Sequence, residues 1–153
     1  MNYAIEYTIY FLLIPGGFFL MEIISLFMHK YLQHGPLWFL HEDHHKYTKG
    51  RIEKNDSFTF FFTIITMILL IFGFLDGFDF KFFLGLGIFL YGMGFFLYHD
   101  MVFHRRIKIK YKPKIKYLNR VINAHKMHHQ KSTAKTGVSF GFFIVGKQYD
   151  PES

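Results

Sequence analysis

Long apolar runs alternate with polar, histidine-bearing stretches along this chain, and the runs have the length of membrane spans. The first covers residues 3–28 and is broken only by Glu6, Pro15-Gly16-Gly17 and Glu22. The second, 58–75, carries no charge. As a helix rising 1.5 Å per residue it covers about 27 Å, close to the hydrocarbon thickness of a bilayer. The third is 82–98, with Asp76-Gly77-Phe78-Asp79 as the turn between the last two. If the first helix enters from outside, the polar segments 29–57 and 99–153 emerge on one common side. Local signals refine the elements. Pro36 is placed to start a short helix with Trp38, His41 and His45 on one stripe and Gly50 near its end. Asn55, Asp56 and Ser57 are N-cap types before the second span. In the third span Leu84, Ile88, Tyr91, Phe95 and His99 form one stripe, and Gly85, Gly87, Gly92 and Gly94 offer small surfaces for close packing. In a last helix, Leu118, Val121 or Ile122, His125 and His129 continue a single i, i+3/i+4 pattern.

Composition supports the membrane reading. The chain is 51% hydrophobic and 22% aromatic, with 22 Phe in 153 residues. That is too apolar for a soluble domain of ordinary kind, and so short a chain cannot wrap three uncharged helices in a polar shell. The expectation is an all-α integral membrane protein forming a single domain over 1–153. Of the 18 Lys and Arg, five lie in 29–57, twelve in 99–153, and only Lys81 lies elsewhere. This asymmetry puts the histidine side in the cytoplasm. It also accounts for the net charge of +7 without a nucleic-acid partner. The alternating Lys and Ile or Tyr of 105–117 fits a strap along the interface, with Ile107, Ile109, Ile115 and Tyr117 toward the acyl region, better than a partner-docking patch. The absence of cysteine excludes disulfides, thiolate ligands and iron–sulfur clusters within the chain. The first apolar run lacks a positive n-region and a cleavage site, so it is expected to be a retained span and not a signal peptide.

All ten histidines fall into four clusters: His29 with His34, His41 with His44 and His45, His99 with His104, and His125 with His128 and His129. The spacings H-x4-H and H-x2-H-H each occur twice, once after the first span and once after the third. Any single histidine on an apolar face is ordinarily a core residue, but ten clustered without remainder require another account. Neutral imidazole is a common ligand for iron, zinc, copper and nickel. Ten exceed the capacity of one ion, so a pair of metal ions is expected. In a helix, positions i, i+3 and i+4 share a face, so each triplet is expected to converge on one point. The i, i+5 pairs do not share a face in a straight helix, so they are expected at helix ends where the chain turns back, as at Gly35-Pro36.

Structural zinc takes four ligands and catalytic zinc usually three protein ligands. Two irons with four or five nitrogens each use the set more economically, and such a site can activate O2 toward an unactivated C–H bond. The stretches His29-Lys-Tyr-Leu-Gln-His34-Gly-Pro-Leu-Trp-Phe-Leu-His41-Glu-Asp-His44-His45, Tyr98-His99-Asp100 through His104-Arg105-Arg106, Ala124-His125-Lys-Met-His128-His129 and Gly137-Val-Ser-Phe-Gly141 resemble the bacterial carotenoid β-ring 3-hydroxylase family, within the membrane fatty-acid hydroxylase and sterol desaturase superfamily. The resemblance spans about residues 20–145. It implies that all ten histidines are di-iron ligands and catalytic. It also implies hydroxylation at C3 of each β-ionone ring, from β-carotene through β-cryptoxanthin to zeaxanthin, with O2 and two electrons per ring. A ferredoxin-type electron donor, a carotenoid drawn from the membrane lipids and a place in the bacterial inner membrane are further implications. Members are often drawn with four spans, whereas three are legible here.

Two other classes of function compete. Fatty-acid or sterol hydroxylation or desaturation uses the same scaffold. A metal transporter or binding protein would carry polar ligands near the bilayer midplane, where this chain has only Glu6 and Glu22 within a span. Glu22, seven residues before His29, is expected either to accept from a ligand imidazole or join a proton path, or to reach water at the span's end. Gly92 or Gly94 is expected to face the bundle and border the polyene.

Overall fold

The computed structural model describes residues 3–46, 52–107, 110–111, 113–134 and 136–151. Every regular element among them is helical: α1 (Tyr3–Phe27), α2 (Trp38–His45), α3 (Asp56–Leu75), α4 (Phe80–Phe95) and α5 (Lys116–Lys131). Two π-helical turns, Met28–Gln33 and Phe96–Phe103, prolong α1 and α4, and a 3-10 turn covers Lys147–Tyr149. Three continuous helices, Ile5–Gln33, Asp56–Leu75 and Phe80–Phe103, are long and apolar enough to cross a membrane. No fourth is found among the described residues.

The chain divides into two compact units, 1–21 with 57–94 and 22–56 with 95–153. The first is a bundle of apolar helices closed by small residues and aromatic rings. A side chain at Gly87 would collide with the Ile14 carbonyl and Gly17, and one at Gly85 would press on Leu69 and Leu70. The rings of Tyr10 and Phe11 pack on Phe83 at 5.7 and 5.1 Å. Glu6 accepts from the Tyr10 hydroxyl at 2.7 Å. In the turn between α3 and α4, Gly77 and Phe78 take φ of 82° and 62°. Lys81 pairs there with Asp76 at 2.8 Å and with Asp79, so the single basic residue away from the histidine segments is neutralised locally. Phe60, Ile64, Ile68 and Ile71 face outward, the arrangement expected of a helix solvated by lipid.

The glycine expectation holds at two positions in this unit and fails at a third. Gly85 and Gly87 make close contacts, but Gly92 is exposed with open space where its Cβ would be. It therefore does not face the bundle. The reason is angular: Gly92 lies next to buried Tyr91, about 100° around the helix from the packed face.

The second unit holds the end of α1, α2, α5 and both π turns. Helix α2 begins at Trp38, two residues after Pro36, because Leu37 N–H bonds to Leu32 O and Trp38 N–H to Gly35 O in the preceding turn. It ends at His45; Gly50 lies outside the described residues. At the C-terminal end, Arg120 Nε donates to Asp150 at 2.5 Å and pins the 3-10 turn to α5. Along the 105–117 segment Ile107, Tyr111, Ile115 and Tyr117 are exposed, and Ile109 lies outside the described residues.

Candidate metal centre

The five-residue spacing of the histidine pairs is absorbed by the helix itself. His34 N–H bonds to His29 O at 3.0 Å and His104 N–H to His99 O at 2.9 Å, the i→i+5 bonds of a π turn. A π turn sets residue i+5 above residue i much as an α turn sets i+4. Both pairs therefore converge, with ring centroids 5.1 and 4.6 Å apart. The pairs stand at helix ends as expected, with His34 and His104 as the cap residues, and it is the widened last turn that folds the second histidine over the first.

Neither triplet converges on one point, which corrects the expectation. Two groups of imidazoles have their ligand nitrogens within 4.8 Å of one another: His29, His34, His41, His45 and His128, and His44, His99, His104 and His125. Each triplet is split between them. His41 and His45, at i and i+4, lie over one another with Nε2 atoms 3.1 Å apart, while His44 swings to the other group. His128 crosses in the opposite sense. His129 belongs to neither group and touches both, its Nε2 3.0 Å from that of His125 and its ring centroid 4.5 Å from that of His45 and 4.8 Å from those of His44 and His104. The i+3 member leaves because it stands about 60° around the helix from its partner at i, whereas i+4 stands about 40° away on the other side. All ten histidines are thus brought together, and the repeated box unit of the sequence becomes two interlocked sets.

The donors fit a metal. Six histidines donate Nδ1–H to an oxygen: His29 to Phe140 O (3.0 Å), His34 to Thr133 O (2.7 Å), His41 to Asn55 Oδ1 (2.7 Å), His44 to Glu53 Oε2 (2.9 Å), His99 to Asp100 Oδ1 (2.8 Å) and His128 to Val138 O (2.8 Å). In a neutral ring this fixes the tautomer and leaves Nε2 a bare lone pair. Yet His34 and His128 Nε2 lie 3.1 Å apart, and His44 and His99 Nε2 lie 3.0 Å apart. Two lone pairs at that distance repel unless a cation lies between. Metal–nitrogen bonds of about 2.1 Å at right angles separate the nitrogens by about 3 Å. His29 Nε2 is buried without a hydrogen-bond partner, as a ligand atom awaiting an ion is.

Burial keeps the rings neutral. Desolvation pushes His41, His104 and His128 down to about 4 and His129 to about 3, with neighbouring imidazoles adding to the effect. His44 and His125 fall well below the usual histidine range for the same reason. Desolvation raises Glu53, and the Arg106 guanidinium opposes it.

Several residues of the site carried no signal that spacing alone reveals. Asn55, expected as a helix cap, is buried and oriented by His41. Glu53 and Asp100 could have been noticed only as acids lying near boxes. The acceptors from Thr133, Val138 and Phe140 are main-chain carbonyls, which every residue type supplies. Gly137-Val-Ser-Phe-Gly141 is the exception, because the motif is the loop that presents two of those carbonyls. Its Ser139 has φ of 54°, and a side chain at Gly141 would press on Ile144 O and Glu22.

Glu22 holds this loop. It is 1% exposed, and its Oε1 accepts the N–H groups of Phe142, Phe143 and Ile144 at 2.9, 2.8 and 2.8 Å. It neither accepts from an imidazole nor reaches water. Its buried setting requires the nest of N–H donors, since an ionised carboxylate without them is too costly to bury.

The fatty acid hydroxylase family profile matches residues 14–146. A beta-carotene hydroxylase of Pantoea ananas is 36% identical over 125 residues, covering 82% of this chain and 71% of the relative. A beta-carotene hydroxylase of Paracoccus sp. (strain N81106 / MBIC 01143) is 32% identical over 136 residues, covering 88% and 83%. The chloroplastic beta-carotene hydroxylase 2 of Capsicum annuum is 34% identical over 135 residues, covering 85% of this chain and 42% of the relative. No solved structure matches the chain.

Proposed function

The chain belongs to the fatty acid hydroxylase family, and on that premise we propose that it is a non-haem di-iron monooxygenase acting at C3 of carotenoid β-ionone rings. The observation that carries the reading is the double set of neutral, Nε2-directed imidazoles in a chain whose relatives are named beta-carotene hydroxylases. Each turnover places one atom of O2 in the C3–H bond and releases the other as water, consuming two electrons and two protons. β-Carotene thus passes through β-cryptoxanthin to zeaxanthin. A ferredoxin-type protein supplies the electrons, and residues 1–153 act as one hydroxylase domain in the bacterial inner membrane with the site at its cytoplasmic face.

The irons, when bound, supply the reductive activation of O2. His29, His34, His41, His45 and His128 would hold one, and His44, His99, His104 and His125, with His129 beside them, the other. The oxygens bonded to Nδ1 fix the direction of six of these rings, so those six need little reorganisation on binding. Trp38 packs on His34 and His45, Phe103 on His125, Phe140 on His29 and Phe95 on His99. These rings exclude water and leave an apolar substrate as the group to be oxidised.

Expression in a β-carotene-producing bacterial host, followed by pigment chromatography, tests the reading. β-Cryptoxanthin and zeaxanthin are expected. His44→Ala and His128→Ala should each abolish them, and each should cost about one of two bound irons, from opposite groups. Unchanged β-carotene beside a two-iron protein would point to a fatty-acid or sterol substrate instead. Full iron and full activity in both variants would sink the di-iron assignment.

A further inference from the structure

We propose that the two ligand groups hold their ions unequally, the second more tightly, because buried carboxylates fixed by Arg106 stand behind it alone. The inference rests on the metal-centre reading above. Every oxygen bonded to Nδ1 in the first group is neutral: three main-chain carbonyls, the Ser132 hydroxyl and the Asn55 amide. In the second group His44 donates to Glu53 and His99 to Asp100. An imidazole that donates to a carboxylate is a stronger donor at its other nitrogen, and the anion's field favours a cation beyond it.

The carboxylates are held in place. Arg106 donates from Nη2 to Glu53 and from Nη1 to Asp56, both at 2.6 Å, and its Nε lies 3.7 Å from Asp100 Oδ1. Its backbone N–H bonds to Asp100 O at 2.9 Å, and Glu53 N–H to Asp56 Oδ2 at 3.0 Å. The side chains of Glu53, Asp100 and Arg106 are 12, 11 and 18% exposed. Three acids against one guanidinium leave an anionic cluster behind His44 and His99. Arg106 prevents mutual repulsion from turning the carboxylates away, which makes it a positioning residue for both rings.

Purified protein freed of metal, titrated with Co(II) and then chased with EDTA, tests the inequality. The wild type should take up two equivalents and release them in two phases. His128→Ala should remove the fast phase and His44→Ala the slow one. Glu53→Gln and Asp100→Asn keep the acceptor oxygen without the charge. They should weaken the slow ion by about 10 to 100-fold and leave the fast ion unmoved. Asn55→Asp places a carboxylate behind His41, and it should slow the fast phase by about 10-fold or more. That gain cannot come from a damaged fold. A single release phase in the wild type overturns the proposal. So does a fast phase unchanged by Asn55→Asp, or equal loss of both ions in Glu53→Gln and Asp100→Asn. Failure of the wild type to take up two equivalents overturns the metal-centre reading itself, so the two failures are distinct.

Discussion

Glu22 shows how much one side chain can decide here. Its Oε1 accepts three backbone N–H groups from residues 142–144, just beyond the Phe140 carbonyl that orients His29. Removing the acceptor leaves three donors unpaired, at about 1–3 kcal/mol each. Glu22→Ala is therefore expected to destabilise the protein by several kcal/mol and to loosen the first ion before the second. Glu22→Gln retains an acceptor oxygen, and it should lose only about 1–2 kcal/mol because neutral acceptors are weaker than charged ones. Thermal unfolding in detergent and metal content measured together check this. A Glu22→Ala protein as stable as the wild type would show that the loop does not depend on the carboxylate.

At the scale of elements, helix geometry does the positioning. The π turns Met28–Gln33 and Phe96–Phe103 bring each i, i+5 pair together. The α-helices α2 and α5 stack their i, i+4 pairs and send the i+3 histidine across. Helix packing in the apolar unit depends on glycines in the same directional way. A leucine at Gly87 meets the backbone of Ile14 and Gly17 on one side, where neither neighbour can rotate away. Gly87→Leu should cost about 3 kcal/mol or more. Gly92→Leu, with nothing within 4 Å, should fold and hydroxylate as the wild type does. Melting temperature and pigment yield for the pair distinguish the two positions. Equal effects would mean that α4 packs through another face.

For the molecule as a whole, six buried and four half-buried imidazoles make stability depend on pH. His41 and His128 are buried, and both sit near 4 against the ordinary 6.5. Below 6.5 the unfolded chain binds protons that the folded one refuses. Stability of the metal-free protein is therefore full above pH 6.5 and is lost as pH falls toward 4. A shift of this size corresponds to roughly 3 kcal/mol for each group. Thermal unfolding of metal-free protein at pH 7.5, 6 and 5 should show a steadily falling midpoint, and added Co(II) should move the fall to lower pH because ion and protons compete for the same nitrogens. A midpoint constant from pH 7.5 to 5 would contradict neutral, desolvated rings.

By itself the sequence determined the three apolar helices, the four histidine boxes and the motifs that place the chain in its family. Each depends on composition and spacing within a short stretch, and hydropathy and helical period are local properties. Tertiary structure alone decided which of the two groups each imidazole joins. His44 and His45 are neighbours on one helix, yet they belong to different groups, because His45 meets His29, His34 and His128 while His44 meets His99, His104 and His125. The same is true of the groups that orient the rings. The carbonyls of Thr133, Val138 and Phe140 have no residue signature, and Arg106 reaches Glu53 across more than fifty positions. Asn55 fits a helix cap by sequence and an imidazole acceptor by position. Spacing along a chain fixes directions within one element, whereas the meeting of directions from several elements exists only once they are packed.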